Sequence, residues 1–100
     1  GDCTAADLAS AGGHYNPAGH VHGSPQDEKH HAGDLGNLIT DKNGNAKLSL
    51  EVPAMSINGT TNPILGRAVI IHKNPDDFLS QPAGGAGARI ACGVIGAASK

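Results

Sequence analysis

The chain has 100 residues, room for one domain and no second, and a chain this short buries only about 60–65% of the surface that its unfolded form exposes. Fifteen glycines, six prolines and two aromatic residues argue against long amphipathic helices and for short strands joined by long turns. A formal net charge of −2, with no aromatic residues interleaved among basic ones, speaks against nucleic-acid binding, and no apolar stretch approaches the ~20 residues that span a bilayer.

Residues 1–33 read as loop. The opening Gly1-Asp-Cys-Thr reads like the middle of a loop and carries neither Met nor a signal peptide, so the start is expected to be processed or cut. Residues 5–10 can form one helical turn, too short to stand alone. The stretch 14–36 then holds five of the six histidines, His14, His20, His22, His30 and His31. Neutral imidazole and carboxylate are natural zinc ligands, and a closed zinc site wants four of them in a tetrahedron. His14, His22, His31 and Asp34 can supply that set if the loop folds back on itself, which its glycines and prolines allow. The competing reading is a solvated polar loop whose histidines do nothing.

A strand is expected over 34–40, with Leu35 and either Leu38 or Ile39 turned inward. Asp41-Lys-Asn-Gly44-Asn reads as a tight turn, Asn-Gly being suited to positive φ. Ala46, Leu48, Leu50 and Val52 alternate with Lys47, Ser49 and Glu51, the period-two pattern of a half-buried strand, which Pro53 ends. Residues 53–63 form a connection whose Asn58-Gly-Thr60 fits the glycosylation acceptor pattern, a three-residue match of little weight. Residues 64–72 are the most apolar segment and read as a central strand ending in His72. Their β-branched run Val69-Ile70-Ile71 disfavours a helix. A Pro/Gly-rich loop over 73–87 carries Asp76 and Asp77, and 89–95 forms the last strand. The pattern is all-β, with hairpins and regular turns that fit an antiparallel sandwich. Cys3 and Cys92 sit almost at opposite ends. As a disulfide they would close nearly the whole chain, worth about 4–5 kcal/mol by loop entropy; as thiols they would be reduced and buried.

Gly-Gly-His14-Tyr-Asn-Pro, His22-Gly-Ser-Pro and His31-Ala-Gly-Asp34-Leu-Gly resemble the zinc loop of the copper/zinc superoxide dismutases. Gly66-Arg-Ala-Val-Ile-Ile-His72, Asp76-Asp77 and Gly87-Ala-Arg89-Ile-Ala-Cys92-Gly-Val-Ile95 continue the resemblance in the family's order. It implies a Greek-key antiparallel β-sandwich, an architecture in which this enzyme is a known member, spanning 1–100 as the zinc loop, four strands and channel loop of one domain. It implies zinc on His14, His22, His31 and Asp34, and copper on His14, which bridges the two metals, and His72. It also implies a Cys3–Cys92 disulfide. Asp76 would hydrogen-bond the outer nitrogen of a zinc histidine, fixing its tautomer. Arg89 would stand beside copper and draw in superoxide. The spacing leaves His20 and His30 unassigned and solvent-facing, and assigns Asp77 to turn chemistry.

The family's earlier strands, ending in a His-x-His pair that gives copper two more ligands, have no counterpart here. Half a sandwich exposes an apolar face and unpaired edges, so a longer chain or a second copy is expected to complete it. The implied activity is superoxide dismutation. Its rival is a zinc-stabilised, non-catalytic binding module. The disulfide points to an oxidising compartment, periplasmic or extracellular, with the cytoplasm open because this family keeps its bridge there too.

Overall fold

The computed structural model describes residues 1–98. Its regular structure is one antiparallel two-stranded ladder, β1 (Ala68–His72) with β2 (Arg89–Val94), and no α-helix occurs among the described residues. The β-branched run of β1 suits the pleated, half-buried surface of a strand. Beyond the strands, Gly66 N–H donates to Ile95 O and Ile95 N–H donates to Arg67 O. Residues 64–67 themselves form a turn closed by Arg67 N–H to Ile64 O at 3.0 Å, so β1 starts later than the apolar run suggests.

Register runs Ala68 with Val94, Val69 with Gly93, Ile70 with Cys92 and Ile71 with Ala91, then breaks so that His72 faces Arg89. Ile90 is the extra residue of this bulge. Residues directly opposite in an antiparallel pair share a face, and a bulge re-aims side chains. The irregularity therefore sets the Arg89 guanidinium, not an isoleucine, across from His72. On the same face Cys92, opposite Ile70, is joined to Cys3 by a disulfide whose Cα atoms lie 5.8 Å apart. That bridge spans 89 positions of sequence and fastens the start of the histidine-rich loop to β2.

Three expectations need correction. Segments 34–40 and 46–52 are not strands, so two of the four expected strands are present among the described residues. Alternation prepares a segment for a sheet but does not supply a partner, and no ladder runs beside either one. Leu35, Leu38 and Ile39 are consequently exposed rather than turned inward, as are Leu48 and Leu50. The turn between the segments does form: Asp41 N–H donates to Asn45 O, the Asp41 carboxylate accepts from Asn43 and Asn45 N–H, and Gly44 takes φ 82°. Third, the short helical turn is displaced to a 3₁₀ turn at Ala9–Ala11.

Polar residues occupy the centre of the molecule. His22, His31 and Asp34 are buried, whereas Ala86 is the one buried apolar residue among those described. Between the histidine-rich loop and the sheet lies an open cavity of about 910 Å³ whose wall includes His14, His72, Asp76 and Arg89.

Candidate metal centre

The loop from His14 to Asp34 is held in shape by its own polar groups. Asn16 accepts from His20 N–H and donates to His20 O, both at 2.9 Å, which closes the first turn. Gly33 N–H donates to Tyr15 O at 2.9 Å, bringing the His31–Asp34 turn against His14. Asp34 N–H then donates to His31 O at 3.0 Å. One carboxylate oxygen of Asp34 accepts from Gly23 and His31 N–H at 3.1 and 2.8 Å, so its other oxygen, Oδ1, is the one turned to the histidines.

Around Asp34 Oδ1 stand three imidazole nitrogens, His14 Nδ1 at 2.7 Å, His22 Nδ1 at 3.0 Å and His31 Nδ1 at 3.3 Å. His14 and His31 Nδ1 are 3.2 Å apart, and one ligand atom from each of the four residues lies within 4.8 Å of every other. Four ligands at about 2.0–2.1 Å from a tetrahedral ion are separated by about 3.3 Å, close to these spacings. His22 supplies the sharper test. Its Nε2 meets Asp76 Oδ1 at 2.7 Å; a carboxylate only accepts, so Nε2 carries the proton and a neutral ring has a bare lone pair at Nδ1. That Nδ1 is buried without a hydrogen-bond partner and faces a carboxylate oxygen. Two acceptors 3.0 Å apart in a buried place call for a cation or a proton between them. The four residues can therefore hold a metal ion.

The electrostatics agree. Burial favours the uncharged form of both His22 and Asp34. Against it, the Asp76 hydrogen bond and the Asp34 charge raise His22 above its ordinary pKa. Donation from Gly23 N–H, His14 and His31 N–H, with the charge of His22, holds Asp34 below the usual carboxylate range. Without a metal the proton is favoured on His22 and the negative charge on Asp34; with one, the same lone pairs can serve as ligands.

Asp76 is itself tied down. Asn37 accepts from Asp76 N–H at 2.8 Å and donates to Asp76 O at 3.1 Å, and Asp76 Oδ1 also accepts from Phe78 N–H at 2.8 Å. Gln81 grips the His22 backbone in the same reciprocal way, accepting from its N–H at 2.8 Å and donating to its carbonyl at 2.9 Å. Asn37, Gln81 and the close-packed Gly84 were not legible as site residues, because the only signal is a side-chain amide or a glycine in a loop. Asp77 has the turn role expected of it: its Oδ1 accepts from Leu79 and Ser80 N–H, both at 2.8 Å.

His72 lies beside the cluster without joining it. Its ring centre is 6.1 Å from that of His14, and its Nδ1–H donates to Gly87 O at 3.1 Å, which leaves Nε2 as the free acceptor. Arg89 lines the same cavity and donates from Nη1 to Leu8 O at 2.8 Å, so its guanidinium is braced by the loop after Cys3. His20 and His30 are half-buried, not solvent-facing: each donates from Nδ1 to a backbone carbonyl, of His30 and His31 respectively.

A family model described as copper/zinc superoxide dismutase matches residues 1–95. The crystal structure of the clock protein EA4 is similar at 40% identity and a TM-score of 0.87, over 96% of this chain and 64% of that one. A SOD-like protein from Bacillus subtilis is similar at 40% identity and a TM-score of 0.84, over 95% of this chain and 66% of that one. The chain thus spans just under two-thirds of the length of each.

Proposed function

The chain belongs to the copper/zinc superoxide dismutase family, and from that premise we propose that it takes part in superoxide dismutation, with zinc on His14, His22, His31 and Asp34. The observation that carries the zinc assignment is the orphaned Nδ1 of His22 facing Asp34 Oδ1 at 3.0 Å. Three imidazoles and one carboxylate make a closed donor set of the kind structural zinc favours. The similarity to SOD-like structures supports a Greek-key sandwich as the fold of the whole protein.

Copper, where bound, supplies the one-electron couple by which two superoxide ions and two protons become one oxygen and one hydrogen peroxide. The residues described here fit copper in part: His14 and His72 offer two imidazoles, and further ligands are assigned to an N-terminal segment or a second copy. The rest of the chemistry belongs to this chain. With Nδ1 committed to the cluster, His14 keeps Nε2 as its one site for holding or releasing a proton. The Gly87 carbonyl fixes the tautomer of His72. Arg89, set opposite His72 by the bulge and braced on Leu8 O, attracts the superoxide anion into the cavity and orients it by charge-assisted hydrogen bonds.

A second reading, a zinc-stabilised binding module without catalysis, is favoured by the fact that His14 and His72 are the only imidazoles lining the cavity among the described residues. Metal analysis with a superoxide-decay assay separates the two. The 100-residue chain is expected to bind zinc and show little dismutation. Activity is expected once a segment bearing His-x-His is present, and Arg89→Ala then lowers it while both metals stay bound. Loss of metal on Arg89→Ala, or no activity in the longer chain with full copper, would reject the catalytic reading. The disulfide suits an oxidising compartment, periplasmic or extracellular.

A further inference from the structure

We propose that Gly84 is a positioning residue of the metal centre: the absence of a side chain at this one position lets the Asp76 carboxylate lie against His22 Nε2. Gly84 is buried, and a Cβ built on it would overlap Asp76 Oδ1 and come within 2.7 Å of both Asp76 Cγ and His22 Nε2. Real Cβ atoms do not approach neighbours this closely. The overlap falls on the hydrogen bond that fixes the His22 tautomer.

Neither side can retreat cheaply. Gly84 N–H donates to Ser80 O at 2.6 Å and its carbonyl accepts from Asp77 N–H at 3.0 Å, so its backbone is held from both directions. Asp76 is held by Asn37 through its N–H and carbonyl, and by Phe78 N–H through its carboxylate. Any side chain at 84 must therefore push the carboxylate off the imidazole or break one of these bonds. Gly85 provides an internal control. It too has a left-handed backbone, φ 61° against 72° for Gly84, but a Cβ on it meets nothing closer than 3.6 Å. Gly84→Ala and Gly85→Ala share the backbone strain, and only the first adds the collision with Asp76.

The test is a cycle of variants in the full-length protein: Gly84→Ala, Gly85→Ala, Asp76→Ala and Gly84→Ala/Asp76→Ala. Two readouts are taken, zinc affinity by chelator competition and the His22 tautomer by ¹⁵N NMR of the metal-free protein. Carboxylates that orient a metal-binding histidine typically matter about 10–100-fold in affinity. Gly84→Ala is expected to weaken zinc by about 10-fold or more and to release His22 from its fixed Nε2–H form, while Gly85→Ala leaves the tautomer intact. With Asp76 already truncated, adding Gly84→Ala costs no further affinity. Equal effects at 84 and 85, or additive losses in the double variant, would overturn the proposal. If Gly84→Ala fails to fold, folding restored by Asp76→Ala supports it and failure in both backgrounds overturns it. The affinity readout rests on the zinc reading above; the tautomer readout does not, so wild-type protein that binds no zinc defeats that reading and leaves Gly84 to be decided by NMR.

Discussion

Residues 14–34, with the facing loop from Asp76 to Ala86, and residues 38–65 are organised by opposite rules. In the first region the buried polar residues are His22, His31 and Asp34, and Asn16, Asp76 and Gln81 each bond a named backbone group. In the second, Ile39, Leu48, Leu50, Ile57 and Leu65 are exposed, and the segment is held mainly by turns such as Asp41–Asn45. An apolar core is the usual source of stability. Here, with Ala86 as the one buried apolar residue among those described, that role passes to hydrogen bonds, a disulfide and, in the proposed reading, a metal on the His14, His22, His31 and Asp34 cluster. A buried polar cluster is stabilising only when fully satisfied, so the first region is the one expected to depend most on the proposed ion.

Removing the metal is therefore the largest perturbation expected. Structural zinc contributes on the order of 10 kcal/mol of apparent binding free energy in small zinc-dependent domains. Chelation should lower the thermal midpoint more than any single substitution below, and an unchanged midpoint after verified removal would contradict the zinc role. The pH dependence should change sign with the metal. In the metal-free protein His22, raised above 6.5, stabilises below that value, and its contribution fades as pH rises through the folded pKa. Asp34, lowered below 3.8, stabilises above that value and loses its contribution as pH falls through its folded pKa. Metal-free stability from these two groups is thus greatest between about pH 4 and 6.5. In the loaded protein protons compete for His22 and its partners, so acidification across the same window releases metal and destabilises. Melting curves of both forms from pH 4 to 8 would show opposite trends, and parallel trends would count against the cluster as the ligand set.

Next comes the Cys3–Cys92 bridge. Closing 89 positions of chain is worth about 4–5 kcal/mol in the loop-entropy picture. Paired Cys3→Ser and Cys92→Ser should shift the urea midpoint accordingly, and should free the loop that braces Arg89. A midpoint unchanged from wild type would mean that the unfolded chain is already restrained.

Gln81→Ala reaches the boundary between the two loops. It removes both hydrogen bonds to the His22 backbone and exposes those groups to imperfect partners, for about 1–3 kcal/mol. Because Gln81 touches only the backbone, stability is expected to fall while the His22 tautomer stays as Asp76 sets it. A changed tautomer would show that the loop, not the carboxylate, orients the ring.

The same contrast explains what could be read from the chain. The clustering of His14, His22, His31 and Asp34 was legible because metal chemistry requires donors of few kinds, and these four stand in a loop able to fold on itself. The placement of His72 and Arg89 on the cavity wall could be expected only through the resemblance, since their own surroundings, an apolar strand and a Gly-rich approach, signal nothing. Their face-to-face placement depends on a bulge at Ile90 that no residue announces. Asn37 and Gln81 stayed hidden for a related reason: side-chain amides act through distant backbone partners, 39 and 59 positions away. Segments 34–40 and 46–52 were misread as formed strands because periodicity reports which face wants burial, whereas pairing needs a neighbour that these residues do not contain.

The smallest effect expected in the 100-residue chain is at Leu50, and it tests the exposed region directly. Leu50 is 48% exposed and Leu48 46%, and substitutions at exposed positions usually stay within about 0.5 kcal/mol. Leu50→Ser should therefore leave the urea midpoint of this chain nearly unchanged. Covering the same side chain would give a different result, because fully burying a leucine contributes about 1.5–3 kcal/mol relative to exposure. A second copy lying on this face would make the loss appear and grow with protein concentration, since association stabilises by mass action. A concentration-independent loss of that size would mean that residues 46–52 pack within the chain in solution. Denaturation of wild type and Leu50→Ser at two protein concentrations distinguishes the outcomes, and a neutral result at both leaves the polar loop, the bridge and the proposed ion as the sources of stability to be tested.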